Sequence, residues 1–261
     1  MDFIRRHFIY VLILFCPLML SAIVKADALV ATVKLIKPSI VGVGTYMPTR
    51  RPAIRLLATG FSVGTEQLVV TNNHVITFEI NTEKLERLVV FSGVGNSAKM
   101  HKAVLVSSSS EHDLALLRVD ARIPPMVLAS SDQMLSDGAS VAFTGFPIGS
   151  VLGLYPVTHR GMISAITPIA IPSSSSQQLN AKKIRSLRDP FFVYQLDATA
   201  YPGNSGSPLY RPDTGEVIGI LNMVFIKSTK EDVLSNPSGI SYAIPVKHLR
   251  SLLQDLEQAK R

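Results

Sequence analysis

The 261 residues carry a formal charge of +7, a single cysteine, Cys16, and no tryptophan. A chain this long buries a large core without disulfide staples, which excludes the small cysteine-framed folds, and one cysteine excludes zinc sites built from cysteine pairs. The basic residues are dispersed and accompany no reading motif, which argues against nucleic-acid binding; the surplus charge bears on solubility and weak attraction to anionic surfaces.

The chain opens on an export pattern. Arg5, Arg6 and His7 precede an apolar run from Phe8 to Val24, and Ala26-Asp27-Ala28 supplies the small residues of a cleavage site. We read residues 1–28 as a signal peptide cut after Ala28, and the protein as exported, periplasmic or secreted. Left uncleaved, the run would sit at the lower edge of membrane-spanning length and supply the only membrane contact. Cys16 lies between Phe15 and Pro17, a poor context for lipid attachment, and it leaves with this segment. The exported chain is expected to fold without disulfides.

Beyond residue 28, short runs rich in Val, Ile, Leu, Phe and Tyr alternate with Gly, Pro, Ser and Asn. They fall at 39–43, 68–70, 88–91, 103–106, 114–119, 141–143, 162–166, 192–196, 217–221 and 240–244. Short strands at such spacing predict an all-β sandwich or barrel. Two serine tetrads, Ser107–Ser110 and Ser173–Ser176, read as loops, the second opening a polar, solvated stretch with Lys182, Lys183 and Arg185. Ile123-Pro124-Pro125 and the polar stretch Ser130–Gln133 suggest a crossover that divides the chain into 29–127 and 128–261. No internal sequence repeat is visible. Only the end predicts a helix: Val246, Leu249, Leu252, Leu253 and Leu256 keep helical spacing after Pro245, which suits a first helical turn.

Three segments carry chemistry. Ser205 sits in Pro202-Gly203-Asn204-Ser205-Gly206-Ser207-Pro208, His74 in Thr71-Asn72-Asn73-His74-Val75, and Asp113 opens Leu114-Ala115-Leu116-Leu117. A serine hydroxyl is a weak nucleophile near neutral pH and needs a base within reach and a third group to orient that base. The order His, Asp, Ser is one of the known chain orders of such a triad. Gly203 and Gly206 let the chain turn tightly and bring backbone N–H groups to a substrate carbonyl. His101, His112, His159 and His248 lack the setting of His74, and His112 reads as incidental. No two histidines fall at metal-ligand spacing, so neither metal nor cofactor is expected.

Together with Gly60-Phe61-Ser62-Val63-Gly64, Val217-Ile218-Gly219-Ile220 and Gly239–Pro245, these segments resemble bacterial trypsin-like serine endopeptidases. The protease domain of the HtrA (Deg) group is the nearest look, with some likeness to glutamyl endopeptidases. The resemblance runs in order from about residue 36 to 250. It implies a chymotrypsin-like fold of two antiparallel six-stranded β-barrels with a C-terminal helix and the active site in the cleft between them. It also implies protein or peptide substrates, an acyl-enzyme mechanism, and an oxyanion hole made by the N–H groups of Gly203 and Ser205. Thr199 would lie at the floor of the S1 pocket with Ala200 beside it, and Leu221, Asn222, Met223, Val224, Gly239 and Ser241 would form its walls. Asn222 to Val224 would also pair with the substrate backbone. With no acid at the floor and Leu221 where glutamyl endopeptidases place a histidine, a small to medium apolar P1 residue is the expectation. Asn204 replaces the aspartate that digestive relatives pair with a new N-terminus, which disfavours activation by that route. The C-terminal PDZ domain common in the HtrA group has no room here, and the resemblance leaves monomer or trimer open.

Two rival readings exist. One is a protease fold that binds without catalysis; the other is an α/β-hydrolase esterase using Ser205, Asp232 and His248, which Ser207 disfavours by replacing the last glycine of the Gly-x-Ser-x-Gly turn. An imidazole base predicts peptidase activity that rises with pH through roughly 6 to 8. A flat profile across that window, with folding verified, would contradict His74 as the base.

Overall fold

A computed structural model describes residues 28–77, 80–148, 153–169, 191–222 and 239–259. Residues 1–27, the second serine tetrad with its basic stretch, Met223, Val224 and Asp232 lie outside the described residues.

The apolar runs become strands of two closed antiparallel barrels. The first contains β1 (Ile40–Tyr46), β2 (Ile54–Val63), β3 (Leu68–Thr71), β4 (Arg87–Ser92), β5 (Lys99–Ser109) and β6 (Leu114–Val119), in the order β1-β2-β3-β6-β5-β4. The second contains β7 (Ser140–Gly145), β8 (Val157–Pro168), β9 (Phe192–Asp197), β10 (Pro208–Tyr210), β11 (Val217–Asn222) and β12 (Ile240–Pro245), in the order β7-β8-β9-β12-β11-β10. The same connectivity recurs in both, a repeat of topology that the sequence does not display. Antiparallel barrels exclude the esterase reading, which needs a parallel sheet with intervening helices.

Burial explains why some runs are continuously apolar. Val69 of β3 and Leu117 of β6 face the first barrel's interior, whereas Val70 and Leu116 face the second barrel. Strands covered on both faces show no alternation, and all four residues of β3 are buried. β2 escapes a sequence reading because its inner half, Ala58-Thr59-Gly60, is small and polar. The strand packs too closely for more: a Cβ on Gly60 would stand 2.8 Å from the Val70 carbonyl oxygen. β10 is only three residues long.

Three further expectations change or sharpen. Ser107 to Ser109 are strand, not loop: a register shift between Leu105 and Ser107 lets them pair with Leu116, Ala115 and Leu114. The expected crossover proves to be hydrogen-bonded to both barrels: the Ile123 and Met126 N–H groups donate to the Glu66 and Ser62 carbonyls, and the Ala129 N–H to Val217 O. Residues 28–36 are helical, and this helix lays the buried Ile36 against the second barrel's core.

Pro245 ends β12 and caps α1 (Val246–Gln258), so the helix starts one residue later than the proline rule suggests. Val246, Leu249, Leu252 and Leu256 form its buried stripe. The helix packs on β11 and β12 and reaches across to β5 of the first barrel. Among the described residues no helix is long and apolar enough to cross a membrane. Truncating the fully buried Leu249 to Ala is expected to cost about 2–5 kcal/mol. The check is a lower denaturant midpoint at unchanged slope.

Candidate active site

β3 ends at Thr71, and the chain turns at once into a short 3₁₀ helix, Asn73–Val75, that carries His74. β3 pairs with β6, so the turn before β6 brings Asp113 beside it. Asp113 adopts the left-handed conformation, φ +50°, which short polar side chains tolerate. Its carbonyl oxygen accepts from the Asn73 N–H and from Asn72 Nδ2, each at 3.1 Å. Oδ1 accepts the His74 N–H at 2.7 Å, and Oδ2 lies 2.6 Å from His74 Nδ1. An ionised carboxylate only accepts, so Nδ1 carries the proton and Nε2 is left as a base. The His74 and Asp113 side chains are 33% and 20% exposed, open enough to reach a substrate and screened enough to hold their geometry.

Asn222, the last residue of β11, reaches over from the second barrel and donates Nδ2 to Asp113 Oδ2 at 2.8 Å. The sequence reading placed Asn222 along the substrate backbone and did not foresee the contact of its side chain with the Asp113 carboxylate. Only the juxtaposition of the two barrels reveals that contact.

The Ser205 loop is clamped from both sides. Thr59 of β2 donates its N–H to the Ser205 carbonyl at 3.0 Å and its hydroxyl to the Gly203 carbonyl at 2.7 Å. Across from it, the Gly206 N–H donates to Leu221 O at 3.0 Å, and the Leu221 N–H to Ser207 O at 2.9 Å. Gly203 has φ +103°, and a Cβ there would stand 2.3 Å from Phe146 O. Gly206 has φ +82°, with Thr59 O at 2.2 Å and Thr71 Oγ1 at 2.6 Å from such a Cβ, so the loop abuts the strand that leads into His74. Only glycine fits either position.

Within this loop the Asn204 N–H is spent on Tyr201 O, while those of Gly203 and Ser205 donate to no acceptor among the described residues. No hydrogen bond joins Ser205 Oγ to His74 among the described residues, a bond that in free enzymes is commonly long and tightens with substrate. Asn204 is fully buried, and its side-chain amide makes no hydrogen bond among the described residues. Thr59 was not singled out from sequence, although it lies one residue before the Gly60 motif.

Ala200 and Leu221 are buried, Thr199 is half-buried, and the Ser241 hydroxyl donates to Ala198 O at 2.7 Å, bracing the segment that leads to Thr199. His159 stacks on Phe143 at 4.8 Å, and burial holds its imidazole below the usual range. A second serine–histidine pair, Ser92 Oγ and His101 Nε2 at 2.7 Å, lacks an orienting acid: Asp120 is 4.0 Å from His101 and accepts the Lys102 N–H instead. No cluster of three or more His, Cys, Asp or Glu side chains is placed to hold a metal among the described residues.

Residues 58–220 match the model of the trypsin-like peptidase domain. The chain is 34% identical over 193 residues to a probable periplasmic serine endoprotease, DegP-like, of Halomonas elongata, covering 74% of this chain and 33% of that one. A protein of the same description from Marinomonas sp. is 31% identical over 214 residues, covering 82% and 38%. The chain thus spans about a third of the length of these curated relatives. A protease from M. tuberculosis, in its active form, superposes with a TM-score of 0.63 at 22% identity, over 86% of this chain and 83% of that one. An HtrA-type protease solved with a tripeptide does so at 0.61 and 26%, over 87% and 63%.

Asn222→Ala removes a donor from the Asp113 carboxylate. A hydrogen bond to a charged group is worth about 1.5–3 kcal/mol, so kcat/KM is expected to fall roughly ten- to hundredfold with folding unchanged, measured by peptide hydrolysis.

Proposed function

We propose that this chain, which belongs to the trypsin-like peptidase family, hydrolyses peptide bonds of protein substrates as an exported serine endopeptidase. Ser205 Oγ attacks the scissile carbonyl carbon while its proton passes to His74 Nε2. The oxyanion that forms is held by the N–H groups of Gly203 and Ser205. His74 then gives the proton to the leaving amine as the C–N bond breaks, and a water repeats the sequence on the acyl-enzyme, releasing the new carboxylate. Asp113 holds the imidazole in the tautomer this requires and stabilises it when charged, without taking the proton.

The observation that carries a catalytic reading over a silent protease-fold binder is the pair of uncommitted N–H groups. Gly203 and Ser205 keep theirs free of protein acceptors among the described residues, in a loop whose other amides are hydrogen-bonded. Preorganised donors of this kind account for roughly 3 kcal/mol each in a well-studied protease. Export rests on the residue pattern of 1–28, and the periplasm is favoured by the names of the relatives.

For specificity we take the S1 pocket to be floored by Thr199 and Ala200 and walled by Leu221, Met223, Val224 and Ser241. None of these side chains is charged. An uncharged floor offers nothing to a basic or acidic P1 side chain, so small to medium apolar residues are the fitting class.

Fluorophosphonate labelling tests the nucleophile. The native chain is expected to label and Ser205→Ala to lose both label and peptidase activity; equal labelling of the two, or none in either, overturns the reading. A peptide-library cleavage profile is expected to show Val, Ala, Leu or Thr at P1, and dominance of Lys, Arg or Glu would refute the proposed pocket.

A further inference from the structure

His112 directly precedes Asp113, and the structure gives it a partner from the other end of the chain. Its ring stacks on that of His248, on the first turn of α1, with centroids 4.0 Å apart and planes 23° from parallel. Phe191 closes the group edge-on, 4.9 Å from His112 and 5.0 Å from His248. Ser109 of β5 fixes the turn from within: its hydroxyl accepts the His112 N–H at 3.2 Å and lies 3.2 Å from His112 Nδ1. His248 Nε2 is buried and has no hydrogen-bond partner among the described residues.

This contact joins two parts of the fold that chain connectivity leaves independent. α1 is seated on the second barrel through Leu249, Leu252 and Leu256, whereas His112 belongs to the first barrel's β5–β6 turn. The stack therefore fixes that turn against the second barrel, one residue from the carboxylate that must meet both His74 and Asn222. Displacements near 1 Å in such a constellation are costly to rate.

Burial, more than the surrounding charges, favours neutral rings. Lys247 on α1 opposes protonation of both histidines; Glu111, on the same turn as His112, favours it, as does Asp132 of the inter-barrel segment for His248. The Asp132 carboxylate is itself engaged by Arg250 of α1, and the Asp113 carboxylate by His74 and Asn222. Burial holds His112 below the usual imidazole range and, with His112 and Lys247, pushes His248 down to about 3. Two imidazolium rings at 4.0 Å in a half-buried site would repel each other.

We propose that the His112–His248 stack is a proton-sensitive clasp that positions Asp113, closed when both rings are neutral and opened by acid. The inference rests on the reading of Asp113 as the residue that orients the base. The sign follows from linkage. Because the closed clasp binds protons less readily than the open one, its contribution is complete above the ordinary imidazole value of 6.5 and is lost as pH falls toward about 3. A general base alone makes kcat/KM fall about tenfold per pH unit on the acid side; clasp opening adds a second proton and steepens the limb toward about a hundredfold per unit.

The test compares the native chain with His112→Ala, His112→Phe and the double variant His112→Phe/His248→Phe. His112→Ala is expected to lower kcat about tenfold or more at all pH values with KM little changed, and His112→Phe to restore most of the loss. The double variant, still stacked but unable to titrate, is expected to show a one-proton limb. An acid limb of the same slope in native and double-variant chains overturns the clasp. Hydrogen exchange in Ser205→Ala reads it without catalysis: residues 109–113 should lose protection between about pH 7.5 and about 5 once intrinsic rates are corrected. Unchanged protection there refutes the clasp however active the enzyme is. Lost protection in a chain that cleaves nothing upholds the clasp and sinks the catalytic reading instead. Should the double variant fail to fold, the hydrogen-exchange arm decides by itself.

Discussion

Asp113 is the point on which both halves of the candidate site depend. Its side chain and carbonyl accept from Asn72, Asn73, the His74 backbone and His74 Nδ1 on the first barrel, and from Asn222 on the second. A carboxylate with several donors is held in one orientation, and through it the imidazole is held in one tautomer. The left-handed turn at Asp113 is accepted because each of these bonds restrains it.

The Ser205 loop is built on a different device. It has few side-chain anchors of its own; its position comes from the Thr59 N–H and hydroxyl on one side and Leu221 on the other, with Gly206 pressed against Thr59 and Thr71 and Gly203 against Phe146. β2 and β11 are core strands of separate barrels, so the loop is registered to both cores at once. The barrels in turn are registered to each other by residues such as Val70 and Leu116, buried between them. Packing of that kind is stiff, which is what allows a site assembled from distant segments to keep its distances.

Much of this was legible from residue order. The runs at 114–119, 217–221 and 240–244 became β6, β11 and β12 with boundaries shifted by at most one residue, because each is apolar and ends at turn residues. β2 was not legible, since its small and polar inner half answers to the Ser205 loop and to Val70 rather than to any strand preference. Ser107 to Ser109 misled for the converse reason: serines with no strand propensity are carried into the ladder by the partner strand β6. At the candidate site, the local context of His74, Asp113 and Ser205 was enough to single them out. For Thr59, the Asn222 side chain and His112 it was not, as each acts on a residue between 40 and 150 positions away or across the barrel boundary.

Sequence by itself determined the chemistry on offer and the class of fold. The candidate nucleophile, base and acid, the glycines of the Ser205 turn and the strand pattern are local properties, set by residue type and by neighbours a few positions away. The tertiary structure decided which atoms meet: the two hydrogen bonds between His74 and Asp113, the amide that Asn222 lends from the other barrel, the N–H groups of Gly203 and Ser205 left without an acceptor among the described residues, and the stack between His112 and His248. The physical reason is that hydrogen bonds and ring contacts act over a few ångströms, and only the closure and mutual packing of two barrels brings segments so far apart in the chain within that range.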